Sequence, residues 1–424
     1  MKKIFIITGD ISGDLHGALL AKSLLEKEPL LQILGVGGER MKAAGIKILF
    51  DLTPFSLVGF VEVARYIFLF RRVLIQLIAK IKEERPDAVI FIDYPGFNLR
   101  VAEKIKDLSI PLIYYIGPQV WAWGKGRIKR IVALFSKMIT ILPFEKEIYE
   151  KEGLPTSFVG HPLLDIVKPR NCRGRIHPTR NNGLDKSSPY RENPLVTLLP
   201  GSRSCEVKRV LPVMVQLTQL IRKIRPEIQF VILAASSLME KEIEKILKKK
   251  KKSLKLHPHL ISSPLEGEDR GEGEKNSYTI KVTQERKYDL IKSSDLVLTA
   301  SGTATVEIAI LERPMIILYK VSPLAYFFLK RMVKLPYIGM VNIIAKKEIV
   351  PEFIQRRATA SRILPTALAL LNQRKKGEEI TCQLKEVKRA LGNLGATARA
   401  AEIILDTLTT KTRNLESTKS YKLF

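Results

Sequence analysis

Leu195-Val196-Thr197-Leu198-Leu199-Pro200-Gly201-Ser202-Arg203 is the stretch that decides the fold. A five-residue run of apolar and β-branched character stops at a Pro-Gly turn, and helix-forming sequence follows. That is the first half of a βαβ unit, and it restarts a rhythm already present upstream. Lys3–Thr8, Gln32–Val36, Ala88–Ile92, Pro111–Ile116 and Met138–Leu142 read as strands. Helical patterns lie between them at Gly17–Lys27, Val58–Glu84, Val101–Lys106 and Phe144–Glu152. Downstream, Phe230–Ala234, Tyr278–Val282, Leu296–Thr299 and Met315–Leu318 continue the strand series. Such alternation implies parallel sheets covered by helices. The expected fold class is α/β, with two Rossmann-like, doubly wound domains in series and a C-terminal helical segment.

The expected boundaries are 1–167 for the first domain and 195–350 for the second. Residues 168–194 form a linker of Arg, Asn, Pro, Gly and Ser with little that could build a core. Residues 248–276 open with five consecutive lysines and continue into a Ser, Gly and Glu-rich run, which reads as a disordered insertion. From Pro351 the chain reads as helical over 351–410, with a frayed tail at 411–424.

A length of 424 residues with 46% hydrophobic residues is ample for two cores. The three cysteines (Cys172, Cys205, Cys382) form no CxxC and no metal-ligand spacing. A disulfide framework and a structural zinc are therefore disfavoured, and a reducing, cytoplasmic compartment fits. The apolar run Ile4–Ile7 reaches Gly9 and Asp10 too soon for a signal-peptide core. Leu57–Ala79 is apolar but carries Glu62, Arg65, Arg71 and Arg72, which argues against a bilayer span. The formal charge of +28 suits nucleic acid or anionic lipid, or simply a lysine-rich proteome. The densest lysine run sits in the insertion and is not interleaved with aromatics along a groove, so nucleic acid is not the expected partner. The apolar-plus-basic stretches Phe55–Ile81 and Tyr326–Lys334 fit either a lipid surface or ordinary core packing.

Four segments carry chemistry. Thr8–Gly17 lies between the first strand and the first helix, at the carboxyl end of the sheet where open α/β folds bind ligands. Gly9 and Gly13 would permit close approach, and Asp10, Asp14 or His16 could bond a ligand. The plain reading is a tight turn with Ser12 or Asp14 capping the helix. Its glycine spacing is not GxGxxG, and neither domain shows a dinucleotide fingerprint. Asp93, at the end of Ala88–Ile92 and before Tyr94-Pro95-Gly96, reads as a general base or as a turn former. Gly201-Ser202-Arg203 offers N–H groups and a guanidinium to phosphate oxygens, unless Ser204 is a simple cap. Ser301-Gly302-Thr303 lets a diphosphate sit on a helix N-terminus, with Glu307 one turn in, where it could accept from ribose hydroxyls; a simple hydroxyl cap at Ser301 or Thr303 would explain only part of this pattern.

Together these segments resemble the lipid-A-disaccharide synthase family. The resemblance rests on Gly9–Asp14, Asp93–Asn98, Pro118–Trp123, Leu142–Glu145, Val159–Pro162, Leu199–Arg203, Ala300–Glu307 and Tyr337–Asn342, and spans residues 3–410. It implies the GT-B architecture and an inverting, metal-independent transfer without a cofactor. The implied substrates are UDP-2,3-diacylglucosamine and 2,3-diacylglucosamine 1-phosphate, at the cytoplasmic face of the inner membrane; a homo-oligomer is compatible with it. The resemblance assigns Asp93 as the base and Arg203, Ser301, Gly302, Thr303, Glu307 and Asn342 to UDP. Gly9, Asp10, Ser12, Gly13 and Asp14 fall in the N-terminal cleft loop, with Asp10 where the family usually has Glu.

Overall fold

The computed structural model describes residues 2–54, 67–119, 121, 126–169, 193–253, 280–332 and 335–420. They divide into two compact units. One comprises Met1–Ile166, Leu329–Lys334 and Ala390–Phe424, the other Val167–Phe328 and Leu335–Arg389.

The first unit holds a parallel seven-stranded sheet in the order β3-β2-β1-β4-β5-β6-β7. Its strands are β1 (Lys3–Ile7), β2 (Gln32–Val36), β3 (Lys47–Phe50), β4 (Ala88–Ile92), β5 (Leu112–Tyr115), β6 (Lys137–Thr140) and β7 (Thr156–Phe158). The second holds a parallel six-stranded sheet, β10-β9-β8-β11-β12-β13. These are β8 (Leu195–Leu199), β9 (Gln229–Leu233), β10 (Lys281–Thr283), β11 (Leu296–Ala300), β12 (Met315–Tyr319) and β13 (Glu352–Ile354). Parallel strands covered on both faces need continuous apolar runs. Ile4–Ile7, Ala88–Ile92 and Leu296–Leu298 supply them, all fully buried.

Each sheet reverses its winding once. In the first unit β1 pairs with both β2 and β4. In the second β8 pairs with both β9 and β11. Loops leaving the two strands beside such a reversal diverge and leave a crevice at the carboxyl edge. The loops concerned are those after β1 and β4, and those after β8 and β11, which carry the chemistry-bearing segments.

Several expectations need correction. β3, β7 and β13 were not expected; each is a short edge strand with partly exposed residues, so no continuous apolar run announces it. The segment after Pro351 opens with β13 rather than a helix. Its helices Ala360–Asn372 and, up to Arg389, Arg374–Ala390 then belong to the second unit, and Ala396–Ser420 lies wholly in the first. That last helix continues ten residues past the expected start of the frayed tail. The lysine run starting at Lys248 forms the end of helix Ser237–Ser253, not a disordered insertion, because lysine is a good helix former continuing an existing helix. Residues 254–276 of that insertion, 170–192 of the linker and 421–424 of the tail lie outside the described residues. The same holds for the start of the expected helix, 58–66.

Candidate active site

In the first unit, the loop after β1 is tightly packed on itself. Asp10 is the N-cap of helix Ile11–Lys27, and its carboxylate accepts from Gly13 N at 2.7 Å and Ser12 Oγ at 2.8 Å. The cap is therefore Asp10, not Ser12 or Asp14. Asp14 is buried and accepts from Gly38 N (2.7 Å), Met41 N (3.1 Å) and Arg40 N (3.2 Å), which secures the start of helix Glu39–Ala43. A Cβ on Gly9 would come within 2.3 Å of the Tyr94 ring, and one on Gly13 within 1.8 Å of Thr8 Oγ1. Both glycines thus admit neighbouring side chains, and at Gly9 this brings the β1 and β4 loops into contact.

Asp93 and Tyr94 follow β4 with φ of 43° and 47°, two consecutive non-glycine residues in the left-handed region. Such backbone persists only where surroundings over-determine it. Here the Asp93 carbonyl accepts from Tyr114 Oη at 2.6 Å and Asn98 Nδ2 at 2.7 Å, while Asp93 N donates to the Ile116 carbonyl at 3.2 Å. Asn98 Nδ2 also donates to the Ile92 carbonyl. Pro95 then starts helix Pro95–Ile105 at a position where no N–H is needed. The carbonyl, not the carboxylate, takes these bonds, so Asp93 is oriented through its main chain.

Around this carboxyl edge lie further titratable groups, among them His16 of the first loop, and Glu145 and His161 of two family-like motifs. Glu145, in the first turn of helix Pro143–Glu150, is 1% exposed. Its Oε1 accepts from Trp121 Nε1 at 3.0 Å, and its buried Oε2 has no hydrogen-bond partner among the described residues. Burial, with the charge of Asp93 adding to it, pushes the Glu145 carboxyl up to about 8 against the opposing Trp121 bond. His16 and His161 are both buried. Burial lowers His16 to about 4 despite Asp10, and lowers His161 to about 3 with the charge of His16 acting the same way. His161 Nδ1 accepts from Leu163 N, whereas His16 Nδ1 has no partner among the described residues.

In the second unit, Gly201 (φ 123°) turns the chain after β8 into helix Ser204–Ile224. Arg203 sits at the N-cap without a side-chain cap bond, so Ser204 is the first helical residue rather than the cap. The Arg203 side chain is 53% exposed and only 3.4 Å from Glu206 Oε1, a weak tie that leaves most of its donors to other acceptors. Beside it, Gly302 (φ 154°) is the N-cap of helix Thr303–Ile310, again without a side-chain cap bond. Neither Ser301 nor Thr303 caps it. Ser301 Oγ donates to the Ile338 carbonyl at 3.2 Å. Glu307 is buried and accepts from Lys287 Nζ and from Tyr288 Oη at 3.0 Å. A carboxylate has about four lone-pair sites, so capacity remains for hydroxyls of a ligand.

Asn342 is placed differently from the expectation of a ligand-facing amide. It is 0% exposed; Nδ2 donates to the Val350 carbonyl (2.9 Å) and Glu352 Oε1 (2.7 Å), and Oδ1 accepts from Ile349 N (2.9 Å) and Val350 N (3.0 Å). The buried Glu352 also accepts from Ile338 N (2.9 Å) and Gly339 N (2.8 Å). Asn342 and Glu352 therefore clamp the loop whose Ile338 carbonyl receives Ser301. Sequence reasoning missed Glu352, Glu145, Tyr114 and Lys287. Only Glu145 had a local signal, since it closes the Leu142-Pro143-Phe144-Glu145 motif. Among the described residues, no group of three or more His, Cys, Asp or Glu is arranged to hold a metal ion.

The chain was compared with known proteins. A family profile described as Lipid-A-disaccharide synthetase matches residues 4–263 and 269–405, passing over five residues of the expected insertion. A lipid-A-disaccharide synthase of Geobacter sulfurreducens is 39% identical over 406 residues, covering 96% of this chain and 97% of the relative. One from Coxiella burnetii is 34% identical over 403 residues, covering 95% and 98%. Among solved structures, a glycotransferase of kitacinnamycin matches with a TM-score of 0.57 at 13% identity, covering 96% of this chain and 98% of that one. A Methanocaldococcus jannaschii UDP-GlcNAc 2-epimerase, in complex with UDP-GlcNAc and UDP, matches at 0.55 and 14%, covering 96% and 99%. At such identity the structural likeness speaks for the fold alone: two Rossmann-like units of the GT-B type.

Proposed function

The chain belongs to the lipid-A-disaccharide synthetase family, and from that premise we propose that it joins UDP-2,3-diacylglucosamine to 2,3-diacylglucosamine 1-phosphate. Asp93 takes the proton from the acceptor's 6-hydroxyl as that oxygen attacks the anomeric carbon of the donor. The bond from this carbon to the phosphate oxygen breaks, its electron pair leaves with UDP, and a single displacement inverts the anomeric centre. The products are the β(1→6) disaccharide 1-phosphate, UDP and protonated Asp93, which returns its proton to solvent.

The observation that carries the donor half is the pair of helix starts without side-chain caps, at Arg203 and Gly302, beside the one reversal of the second sheet. A helix start concentrates free N–H groups and about half a positive charge, which suits a diphosphate. Arg203 adds a guanidinium, so the charge developing on UDP meets preorganised donors. Ser301, Gly302 and Thr303 line this start, and Glu307 accepts from the ribose while sharing its carboxylate with Lys287 and Tyr288. Asn342 contributes by shaping the loop rather than by touching UDP. In the acceptor half, Asp93 has the backbone rigidity expected of a base that must meet a hydroxyl in one geometry.

The substrates are acylated, which gives the greasy, basic surfaces a use. Helix Ile67–Glu84 exposes Ile67, Phe68 (80% exposed) and Ile75 together with Arg71 and Arg72. No helix among the described residues is long and apolar enough to cross a membrane. We assign this face to peripheral contact with the cytoplasmic leaflet of the inner membrane, where both substrates reside.

Incubation with the two acylated sugars should release UDP in step with disaccharide. Asp93→Asn should fold and bind UDP normally while turnover falls at least about a hundredfold. UDP release without disaccharide would overturn the transfer reaction, and near-normal turnover of Asp93→Asn would remove Asp93 as the base.

A further inference from the structure

Two carboxyl groups in the first unit feel each other's charge, and only one has a role in the chemistry above. Glu145 is almost wholly buried; its Oε1 accepts from Trp121 Nε1 at 3.0 Å, the Leu142 backbone also bonds to the carboxyl, and among the described residues Oε2 has no partner. An ionised carboxylate in that setting would lack the donors that normally compensate burial. A neutral acid suits it better, since Oε1 can accept from the indole while Oε2 carries the proton. The groups facing it point the same way. Asp93 contributes negative charge from the turn after β4, and Tyr149, on the same helix as Glu145, is a neutral phenol donating to the Pro118 carbonyl at 3.2 Å. Trp121 itself is fixed edge-on against Phe144, with ring centroids 4.8 Å apart.

We propose that Glu145 is a positioning residue that works as a neutral carboxylic acid, anchoring Trp121 and leaving Asp93 as the only ionised carboxylate of the pair. Two interacting carboxyls separate into one that ionises readily and one that resists, which is how a site keeps a base and a neutral acid together. Ionising Glu145 would place a second negative charge beside the base and oppose entry of a phosphorylated acceptor. Burial and Asp93 set the transition at about 8, so the neutral form prevails below that pH and is lost above it. The proposal rests on Asp93 being the base only for its kinetic consequence; the charge coupling itself does not.

The test has a kinetic and a spectroscopic arm. For the wild type, kcat/KM for the acceptor should fall roughly tenfold between pH 7 and 9.5. Glu145→Gln, which keeps an acceptor for Trp121 but cannot ionise, should stay within about twofold of its own pH 7 value over that range. Superimposable profiles from two folded proteins would overturn the proposal. The chain has two tryptophans, so Trp123→Phe leaves Trp121 as the sole indole for fluorescence, with Glu145 itself unsubstituted. Its emission should titrate with a midpoint near 8, and adding Asp93→Asn should move that midpoint down by at least about half a pH unit. No inflection between pH 6.5 and 9.5, or a midpoint indifferent to Asp93→Asn, would likewise overturn it. Near-normal turnover of Asp93→Asn with a shifted midpoint would sink the base assignment while leaving Glu145 coupled to Asp93.

Discussion

Asp10 and Asp14 lie four residues apart in one loop, and nothing local says which is structural. Asp10 closes the helix it precedes, whereas Asp14 reaches across to three N–H groups about 25 residues away. His16, two residues further on, is buried and held neutral, lowered to about 4 by burial. Its folded-state value lies below the ordinary 6.5, so its contribution to stability is complete above pH 6.5 and is lost as pH falls through 4. The difference corresponds to roughly 3 kcal/mol, with His161 acting in the same direction. Denaturant unfolding at pH 7 and pH 4.5 should therefore show a smaller acid-induced loss in His16→Gln than in wild type. Equal losses would mean that His16 does not enter the linkage.

At the scale of elements, the strands fully covered by helices were legible because they must be continuous apolar runs. β2, β4 and β8 agree with the sequence reading residue for residue. β3, β7 and β13 were not legible, since an edge strand with partly exposed residues shares its composition with loops. This matters for function because β13 carries Glu352, which with Asn342 holds the loop at Ile338 and Gly339 against Ser301. Asn342→Ala would strand two N–H groups and remove a donor from the Val350 carbonyl and from Glu352 Oε1, which keeps only Gly339 N. At about 1–3 kcal/mol per unsatisfied group, partly relieved by relaxation, the expected loss is roughly 3 kcal/mol of unfolding free energy. Chemical denaturation checks it; unchanged stability with abolished UDP binding would instead make Asn342 a direct ligand of the nucleotide.

Over the whole molecule, the net charge of +28 acts as a field rather than through any one contact. Combined with the exposed Ile67, Phe68 and Ile75, it predicts binding to vesicles containing anionic phospholipid that weakens as salt rises. Replacing both Arg71 and Arg72 with glutamine should lower that affinity about thirtyfold at low salt, at roughly 1 kcal/mol per charge. Sedimentation with vesicles measures it, and salt-independent or unaltered binding would remove this face from the membrane contact. At this scale the sequence by itself determined that there are two parallel α/β units and which loops leave the carboxyl ends of their strands. The βα rhythm is written in local hydrophobic periodicity, and the carboxyl ends of strands follow from it. Only the tertiary structure decided which polar groups in those loops are already engaged and which remain for a ligand. Asn342 with Glu352, Asp14 with Gly38, and Glu145 with Trp121 meet across the fold, and hydrogen-bond satisfaction and burial depend on those meetings rather than on residue type.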